Sequence, residues 1–479
     1  MNYNVGITSV GCYIPYNYIE RSTIGKTWGD RGQIGCKAIA NSDEDTVTMA
    51  VEASYECFRF IEKEKIDALY FASTSAPYSE KTHSTLISTA CNLKNNIFTS
   101  DFAHSLRSST MALRSAYNAV VAEGAGQALI VSSDMRNGYP KSVQEQLFGD
   151  AAAALTIGSE EVIATIDFFS SVNNEIVDMW RNTGDVFVRN AEGRFAQEKG
   201  YLESMINVTN QILEKSKLKQ SDFKKVIFTS SDFKENFKAA KKLGFTDEQI
   251  QKNFVLEIGC CGTAQPILML ADALENSEPG DKILVASYGN GADAMILSVT
   301  EYARKLKNSK SVAKYLERRK EFKEYGRYLS FRGIIEANPG EDYKIPASTA
   351  MTWREQGTYL ELKASKCTSC GKEIYPANRV CYNCHSKDKF EYVNKAEEIT
   401  KLFTYSIDNL AGRSDDPVII QSISEDKSGS RYYMNMTDFD AAKIEIDMEL
   451  EFTFRKIHNL GNFVNYYWKL RPIRRKAVI

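Results

Sequence analysis

The stretch DFAHSLRSSTMALRSAYNAVVAEGAGQALIVSSD, residues 101–134, decides the fold of this 479-residue chain. After a Ser- and Thr-rich entry, apolar residues recur at helical spacing from Leu113 to Val121. Gly124 and Gly126 end this pattern, and the run AGQALIVSS then predicts a strand. Residues 105–109 are therefore predicted to form a tight turn onto a helix N-terminus, where free N–H groups and the helix dipole favour a thiolate.

Strand and helix patterns alternate on both sides of this stretch. The apolar run at 5–14 predicts a strand, 42–61 a helix with an acidic start, and 67–74 a second strand, followed by a helix near 84–92. Similar signals recur between residues 199 and 299. The pattern predicts a layered α/β domain with mainly parallel strands.

Two segments resemble the thiolase superfamily. FGDAAAALTIG, residues 148–158, resembles the FGDGAGAVVLG strand of thiolase-fold condensing enzymes. HSLRSSTMAL, residues 104–113, is similar to the FACKAGTAAL turn of 3-hydroxy-3-methylglutaryl-CoA synthases. The resemblance implies an α/β, duplicated thiolase-like fold with layers α-β-α-β-α, in halves 1–165 and 166–302, and a homodimer.

The same resemblance places the residues on which such synthases depend. Their acyl-accepting cysteine falls on Leu106, their histidine on Thr229, their asparagine on Cys260 and their glutamate on Thr74. Glu80 lies six residues beyond Thr74 and is an alternative position for the glutamate. Thioester condensation needs a nucleophile, an acid/base and oxyanion donors. The residues that supply these groups in such synthases are therefore replaced in this chain.

Other residues near these positions are candidates for a remaining chemistry. Cys260 and His104 are the candidate catalytic residues, although packing as a buried thiol or a core histidine is the commoner role for each. Cys261 shares the same turn. The candidate substrate-binding residues are glycines that let backbone approach a ligand: Gly259, Gly262, Gly289 and Gly291. Weaker candidates are His83, Tyr288 and Asp232.

Residues 303–355 are predicted to be a linker. The segment 303–325 is charge-dense and helix-favouring, and two prolines lie in the segment that follows it. A basic helix of this kind can bind an acidic partner or phosphate, but a solvated linker helix is the commoner outcome.

Residues 356–392 carry a metal-ligand pattern. Cys367 and Cys370 are followed, after ten residues, by Cys381 and Cys384. Two C-x-x-C pairs at this spacing predict a zinc ribbon with a structural zinc ion, because four thiolates leave no open position for a substrate. His385 is predicted to be a bystander.

Residues 393–479 alternate apolar and polar residues in about five runs, which predicts a small all-β barrel. A zinc ribbon followed by such a barrel resembles the acyl-CoA-associated OB-fold (DUF35-type) family, whose members accompany thiolase-like enzymes. We expect Tyr466, Tyr467 and Trp468 to pack in the barrel core or an interface rather than to stack on nucleic acid.

The composition narrows the protein class. The net charge is −2, hydrophobic residues make up 43% of the chain, and nothing indicates nucleic-acid binding. The N-terminal MNYNVGITSVGCYIP has no signal-peptide pattern, and no window approaches eighteen consecutive apolar residues. Four of the ten cysteines form the C-x-x-C pairs, so we expect a cytoplasmic protein with reduced thiols and no membrane segment.

Three functions are compatible with these patterns. The first is an enzyme that makes or breaks a C–C bond next to a CoA thioester, by aldol, retro-aldol or Claisen chemistry, without an acyl-cysteine. The second is a non-catalytic subunit that scaffolds an intact thiolase-like partner protein. The third, 3-hydroxy-3-methylglutaryl-CoA synthase activity, is opposed by Leu106. An acyl-CoA is the expected substrate or ligand.

Overall fold

The computed structural model describes residues 4–336, 348–460 and 463–475, and these form two compact units. The first unit contains most of the chain up to Tyr328. The second contains Ser42–Glu44, Thr89–Asn92 and the chain from Leu329 onward.

Among the described residues of the first unit, nine strands form one sheet. Their order across the sheet is β7-β8-β9-β6-β1-β5-β4-β2-β3. The strands are β1 Gly6–Tyr13, β2 Ile66–Ala72, β3 Phe98–Phe102, β4 Gln127–Asp134, β5 Ala151–Gly158, β6 Ala164–Asn173, β7 Lys225–Phe228, β8 Lys282–Tyr288 and β9 Gly291–Val299.

The sheet consists of two halves with the same hydrogen-bonding pattern. In the first half, β1 pairs antiparallel with β5, β5 antiparallel with β4, and β4 parallel with β2. In the second half, β6, β9, β8 and β7 repeat this sequence of pairings. The halves meet where β1 and β6 pair over only two residues each. The predicted duplication is therefore confirmed. The expectation of mainly parallel pairing is wrong, because each half folds its last strand back beside its first; among the described strands of this sheet, five pairings are antiparallel and three are parallel.

The helices of this unit follow the predicted order. They are α1 Thr46–Phe58, α2 His83–Ala90, α3 Ser108–Glu123, α4 Glu203–Ser216, α5 Glu235–Lys242 and α6 Gln265–Glu275. Every residue of α1 is buried, and Asp45 caps this helix by accepting hydrogen bonds from the N–H groups of Val47 and Thr48. Helix α3 ends at Gly124, whose φ of 70° is the left-handed conformation typical of a helix C-terminus.

Shorter elements complete the first unit. Arg21–Thr27 and Val143–Leu147 are short helices, and a π-helix at Ala196–Leu202 leads directly into α4. A small three-stranded sheet joins Asn17–Glu20, Cys36–Ile39 and Lys320–Glu321. Met179–Trp180 pairs with Arg189–Asn190.

The prediction of a charged linker helix over 303–325 is wrong. This segment contains a 3-10 helix at Glu301–Leu306 and a short α-helix at Ala313–Glu317, and it belongs to the first unit. Lys314 is 1% exposed and forms an ion pair with Glu56. Apolar residues between the charged ones pack this segment into the first unit, to which it belongs. Much of the rest of the predicted linker, 337–347, lies outside the described residues.

The second unit begins with helices and a small ribbon. Helices occur at Tyr325–Phe331, Thr349–Arg354 and Gln356–Tyr359, of which the first starts within the first unit. The ribbon strands are β10 Lys363–Cys367, β11 Glu373–Ile374 and β12 Phe390–Asn394, all paired antiparallel.

A five-stranded antiparallel sheet forms the predicted barrel. Its strands are β13 Ile399–Asp408, β14 Ile419–Glu425, β15 Arg431–Asn435, β16 Glu449–Leu460 and β17 Phe463–Pro472, in the order β15-β14-β13-β16-β17. A bridge between Met436 and Leu470 brings the two edges together, so the barrel is nearly closed. Tyr466 and Trp468 are buried, and the Tyr467 hydroxyl lies 2.8 Å from that of Tyr375, which confirms a packing role for these aromatic residues.

Across the described ranges, none of the helices combines the length and apolar character that a membrane crossing requires.

Candidate functional site

A cavity of about 230 Å³ lies in the first unit, where strands β7 and β8 end. Open α/β sheets bind ligands at the carboxyl ends of their strands, so the position is typical of an active site. Its walls combine apolar, carboxylate and neutral polar side chains, which include Leu106, Val143, Leu147, Met179, Asp178, Asp232, Glu235, Tyr201, Thr229, Ser287, Tyr288, Cys260 and Gln265.

Three of the four positions identified by the family resemblance meet in this cavity. Leu106, Thr229 and Cys260 all line it. The Thr229 hydroxyl accepts a hydrogen bond from the Tyr288 N–H at 3.2 Å, so this side chain joins the ends of β7 and β8. The sequence therefore predicted the location of the site, although the three side chains lack a thiolate, an imidazole and an amide.

The fourth position, Thr74, is held by Asp134 and is not among the cavity-lining residues. Asp134 is fully buried at the end of β4, and its Oδ1 accepts hydrogen bonds from the hydroxyls of Ser73, Thr74 and Ser75 at 2.7–3.2 Å. Its Oδ2 accepts from the Thr263 N–H at 2.8 Å. Asp134 thus fixes the loop after β2 to the turn that precedes α6.

The histidine candidates lie outside the cavity. His104 is exposed with a φ of 72°, so it is neither a cavity residue nor the packed core histidine considered as the alternative. His83 is buried, with Nδ1 2.8 Å from Asp101 and Nε2 accepting from the Tyr78 N–H. Glu80 is exposed and does not line the cavity either. His104 is close to Leu106 in the sequence, but Leu106 lines the cavity and His104 does not.

Cys260 lines the cavity as a buried thiol. It is 2% exposed, and its Sγ lies 3.9 Å from the Gln265 Oε1. Burial raises the pKa of the Cys260 thiol, and it raises that of Cys261 further. A thiol with a raised pKa stays protonated near neutral pH and is a weak nucleophile.

The four candidate glycines have different roles. Gly262 lines the cavity, and a side chain there would clash with Asp134. Gly259, Gly289 and Gly291 are not among the lining residues. At Gly289 a Cβ atom would lie 2.6 Å from the Ser105 Oγ and 3.1 Å from the Leu106 N, so the missing side chain lets β8 approach the turn before α3. This close contact positions Leu106 at the cavity.

Two carboxylate groups give the cavity acid/base capacity. Burial and the neighbouring charge of Asp232 raise the pKa of Glu235. The Glu235 carboxylate accepts hydrogen bonds from Gln197 at 3.1 Å and Ser231 at 3.2 Å. The Tyr288 hydroxyl donates to Asp178 at 2.6 Å, and burial together with this bond raises the pKa of Tyr288.

Among the described residues, two further polar groups near the cavity have no hydrogen-bond partner. They are the Tyr201 hydroxyl and the Gln265 Nε2, on side chains that are 5% and 2% exposed. Both atoms are shielded almost completely, so other atoms of these two side chains line the cavity.

Sequence reasoning ranked Tyr288 and Asp232 low and missed Glu235, Asp178, Tyr201 and Gln265. Glu235 ends the segment IFTSSDFKE that already marked this region, and its position at the start of α5 was the available signal. The other three lie in segments that only the folded chain brings to the cavity.

The predicted zinc ligands of the second unit also converge. The sulfur atoms of Cys367, Cys370, Cys381 and Cys384 all lie within 4.8 Å of one another. A hydrogen bond with the Ser386 hydroxyl lowers the pKa of Cys367 to about 6, which favours a thiolate. Four thiolates in this arrangement fit a tetrahedral structural zinc ion.

Comparison with protein families matches two segments. Residues 213–299 match the C-terminal domain of 3-oxoacyl-[acyl-carrier-protein] synthase III. Residues 360–391 match the rubredoxin-like zinc ribbon domain of ChsH2. The first segment contributes Thr229, Glu235 and Cys260 to the cavity, and the second contains the four clustered cysteines.

Relatives match more than two thirds of this chain over almost their whole length. The hydroxymethylglutaryl-CoA synthase of Methanobrevibacter smithii is 31% identical over 343 residues, which cover 69% of this chain and 99% of that protein. The protein of the same name from Methanocaldococcus jannaschii is 30% identical over 342 residues, with coverage of 69% and 99%.

Solved structures share the fold. A crystal structure of an HMG-CoA synthase complexed with CoA has a TM-score of 0.64 at 21% identity and covers 72% of this chain and 95% of its own. The 3-oxoacyl-[acyl-carrier-protein] synthase III of Aquifex aeolicus has a TM-score of 0.55 at 21% identity, with coverage of 61% and 99%.

Proposed function

Because this chain belongs to the hydroxymethylglutaryl-CoA synthase family, we propose that it binds an acyl-CoA thioester in the cavity of its first unit and makes or breaks a C–C bond there without an acyl-cysteine. The observation that carries the proposal is the replacement of the nucleophile by Leu106 in a cavity that keeps a carboxyl group, Glu235, with a raised pKa. The relatives' names support the CoA thioester as the ligand class.

Retro-aldol cleavage of a 3-hydroxyacyl thioester illustrates the chemistry. Glu235 takes the proton of the 3-hydroxyl group, the C2–C3 bond breaks, and C3 leaves as a carbonyl compound. The electron pair of that bond forms the thioester enolate, which is then protonated at C2 by the same carboxyl group. No redox cofactor or covalent intermediate is needed, and a positioned acid/base of this kind contributes about 10²- to 10⁴-fold to the rate.

A scaffolding role is the second candidate. It is favoured by the loss of thiolate, imidazole and carboxylate at Leu106, Thr229 and Thr74, since a partner enzyme would then supply the chemistry. Synthase activity through an acyl-cysteine is opposed by Leu106, and the raised pKa of Cys260 argues against that thiol as a substitute.

The test is turnover of 3-hydroxyacyl-CoA esters by the purified full-length chain, with both products followed by mass spectrometry. We expect cleavage by the chain alone and a loss of about 10²- to 10⁴-fold in Glu235→Gln, because the amide cannot accept the proton. Since the pKa of Glu235 is raised, its carboxylate forms only at higher pH, so the wild-type rate should rise as pH increases through that pKa.

Glu203→Gln is the matched control, because Glu203 is exposed on α4 and forms only a surface ion pair with Lys199. It should keep wild-type turnover. Absence of turnover by the chain alone, together with turnover after addition of a co-purifying thiolase-like protein, would favour the scaffolding role.

We also propose a homodimer formed through the first unit. Strand β3 is at one edge of the sheet and presents Phe98, which is 61% exposed. An edge strand with an exposed aromatic residue is suited to pairing with another chain. Sedimentation should give a dimer, and a single monomer peak would contradict this proposal.

A further inference from the structure

The described walls of the cavity contain three carboxylate side chains and no Lys, Arg or His. We infer that the acyl group bound here is uncharged and that acyl groups with a free carboxylate are rejected. This inference rests on the proposed function, because that proposal assigns the acyl group to this cavity.

The three carboxylates are Asp178, Asp232 and Glu235. Asp178 is 8% exposed, and Glu235 is already affected by the charge of Asp232. A carboxylate on the acyl group would add a further negative charge to this partly desolvated space. Like charges a few ångströms apart in such an environment repel strongly because screening by water is reduced.

Among the described residues, no lining side chain compensates for that charge. Arg136 is buried nearby and partly offsets the rise that burial causes in the pKa of Cys260, but it is not among the lining residues. Its guanidinium carbon lies 4.2 Å from the centroid of the Phe148 ring, and its Nη2 lies 3.7 Å from the Met179 Sδ. This stacking directs the cation towards Phe148, whereas carboxylate recognition normally uses a forked pair of hydrogen bonds from Arg.

The test is calorimetric binding of four probes to the purified full-length chain: CoA, butanoyl-CoA, 3-hydroxybutanoyl-CoA and 3-hydroxy-3-methylglutaryl-CoA. We expect the neutral hydroxylated ester to bind at least about tenfold more tightly than the carboxylated ester. Butanoyl-CoA, whose acyl group is also uncharged, should bind more tightly than the carboxylated ester by a similar factor. Equal or tighter binding of the carboxylated ester would overturn the inference and leave the proposed function standing.

Binding of none of the four probes would overturn the proposed function and, with it, this inference. Asp232→Asn provides a second measurement, because the amide keeps an acceptor for the Lys234 N–H and removes one charge. It should narrow the ratio of the two affinities by about fivefold, because removing one negative charge favours the carboxylated ester more than the neutral ester. Asp247→Asn, at an exposed residue paired with Lys241, is the control and should change neither affinity.

Discussion

The pKa values of Cys260 in the cavity and Cys367 in the ribbon are shifted in opposite directions. Cys260 and Cys261 are buried in the first unit, and burial raises their pKa values. In the ribbon, a hydrogen bond with Ser386 lowers the pKa of Cys367 to about 6, and four sulfur atoms converge within 4.8 Å. The surroundings of a cysteine therefore determine whether it serves as a packed apolar group or as a ligand.

Removing a ribbon cysteine should have the largest effect. Cys381→Ala leaves three thiolates, and we expect the zinc content to fall from one ion per chain to below about 0.1, with unfolding of the ribbon, because small zinc domains depend on the metal to fold. Elemental analysis of the purified chain measures the metal. Cys260→Ala is the matched control and should retain full zinc. Equal zinc in both variants would contradict the contrast between the two cysteine groups.

Restoring a cysteine at the turn should have an intermediate effect. Leu106→Cys places a thiol in the cavity just before the N-terminus of α3, where the helix dipole favours the thiolate. We expect alkylation of this introduced thiol by iodoacetamide to be at least about tenfold faster than alkylation of Cys260. Peptide mass spectrometry on the variant gives both rates. If the introduced thiol reacts no faster than Cys260, the turn does not activate a thiol.

Replacing the cavity thiol itself should have the smallest effect. Cys260→Ala should change turnover of the proposed reaction by less than about twofold, because a protonated buried thiol behaves as a small hydrophobic group. A destabilisation of about 1 kcal/mol is expected from the small cavity created. Turnover and urea unfolding are the measurements. A hundredfold loss of turnover in a folded variant would mean that the thiolate takes part after all.

The barrel and the ribbon were predictable from local patterns. Alternating apolar residues marked all five barrel strands, and the C-x-x-C spacing located the ligands from Cys367 to Cys384. Strand direction in the large sheet was not predictable in this way, because the antiparallel return of β5 beside β1 depends on pairing over more than a hundred residues. The charged segment 303–325 was misjudged because its few apolar residues, such as Leu306 and Tyr315, decide its packing.

The candidate site was likewise predictable from the sequence only in part. Family resemblance located Leu106, Thr229 and Cys260, which do meet in one cavity. It included Glu235 in the segment IFTSSDFKE without assigning it a role, and it gave no information about Tyr201, whose position at the cavity depends on the fold. His104, a candidate catalytic residue, does not reach the cavity for a local reason. It is exposed in a left-handed backbone conformation, which its spacing along the chain does not reveal.

The hydrogen bonds around Asp134 also constrain how this protein can evolve. A glutamate at position 74, the residue that the family resemblance implies there, would remove a hydroxyl donor from Asp134 and place a second carboxylate beside it. Like charges so close are unfavourable in a buried setting. A glutamate at position 74 is therefore expected to destabilise the loop after β2 unless Asp134 is replaced as well.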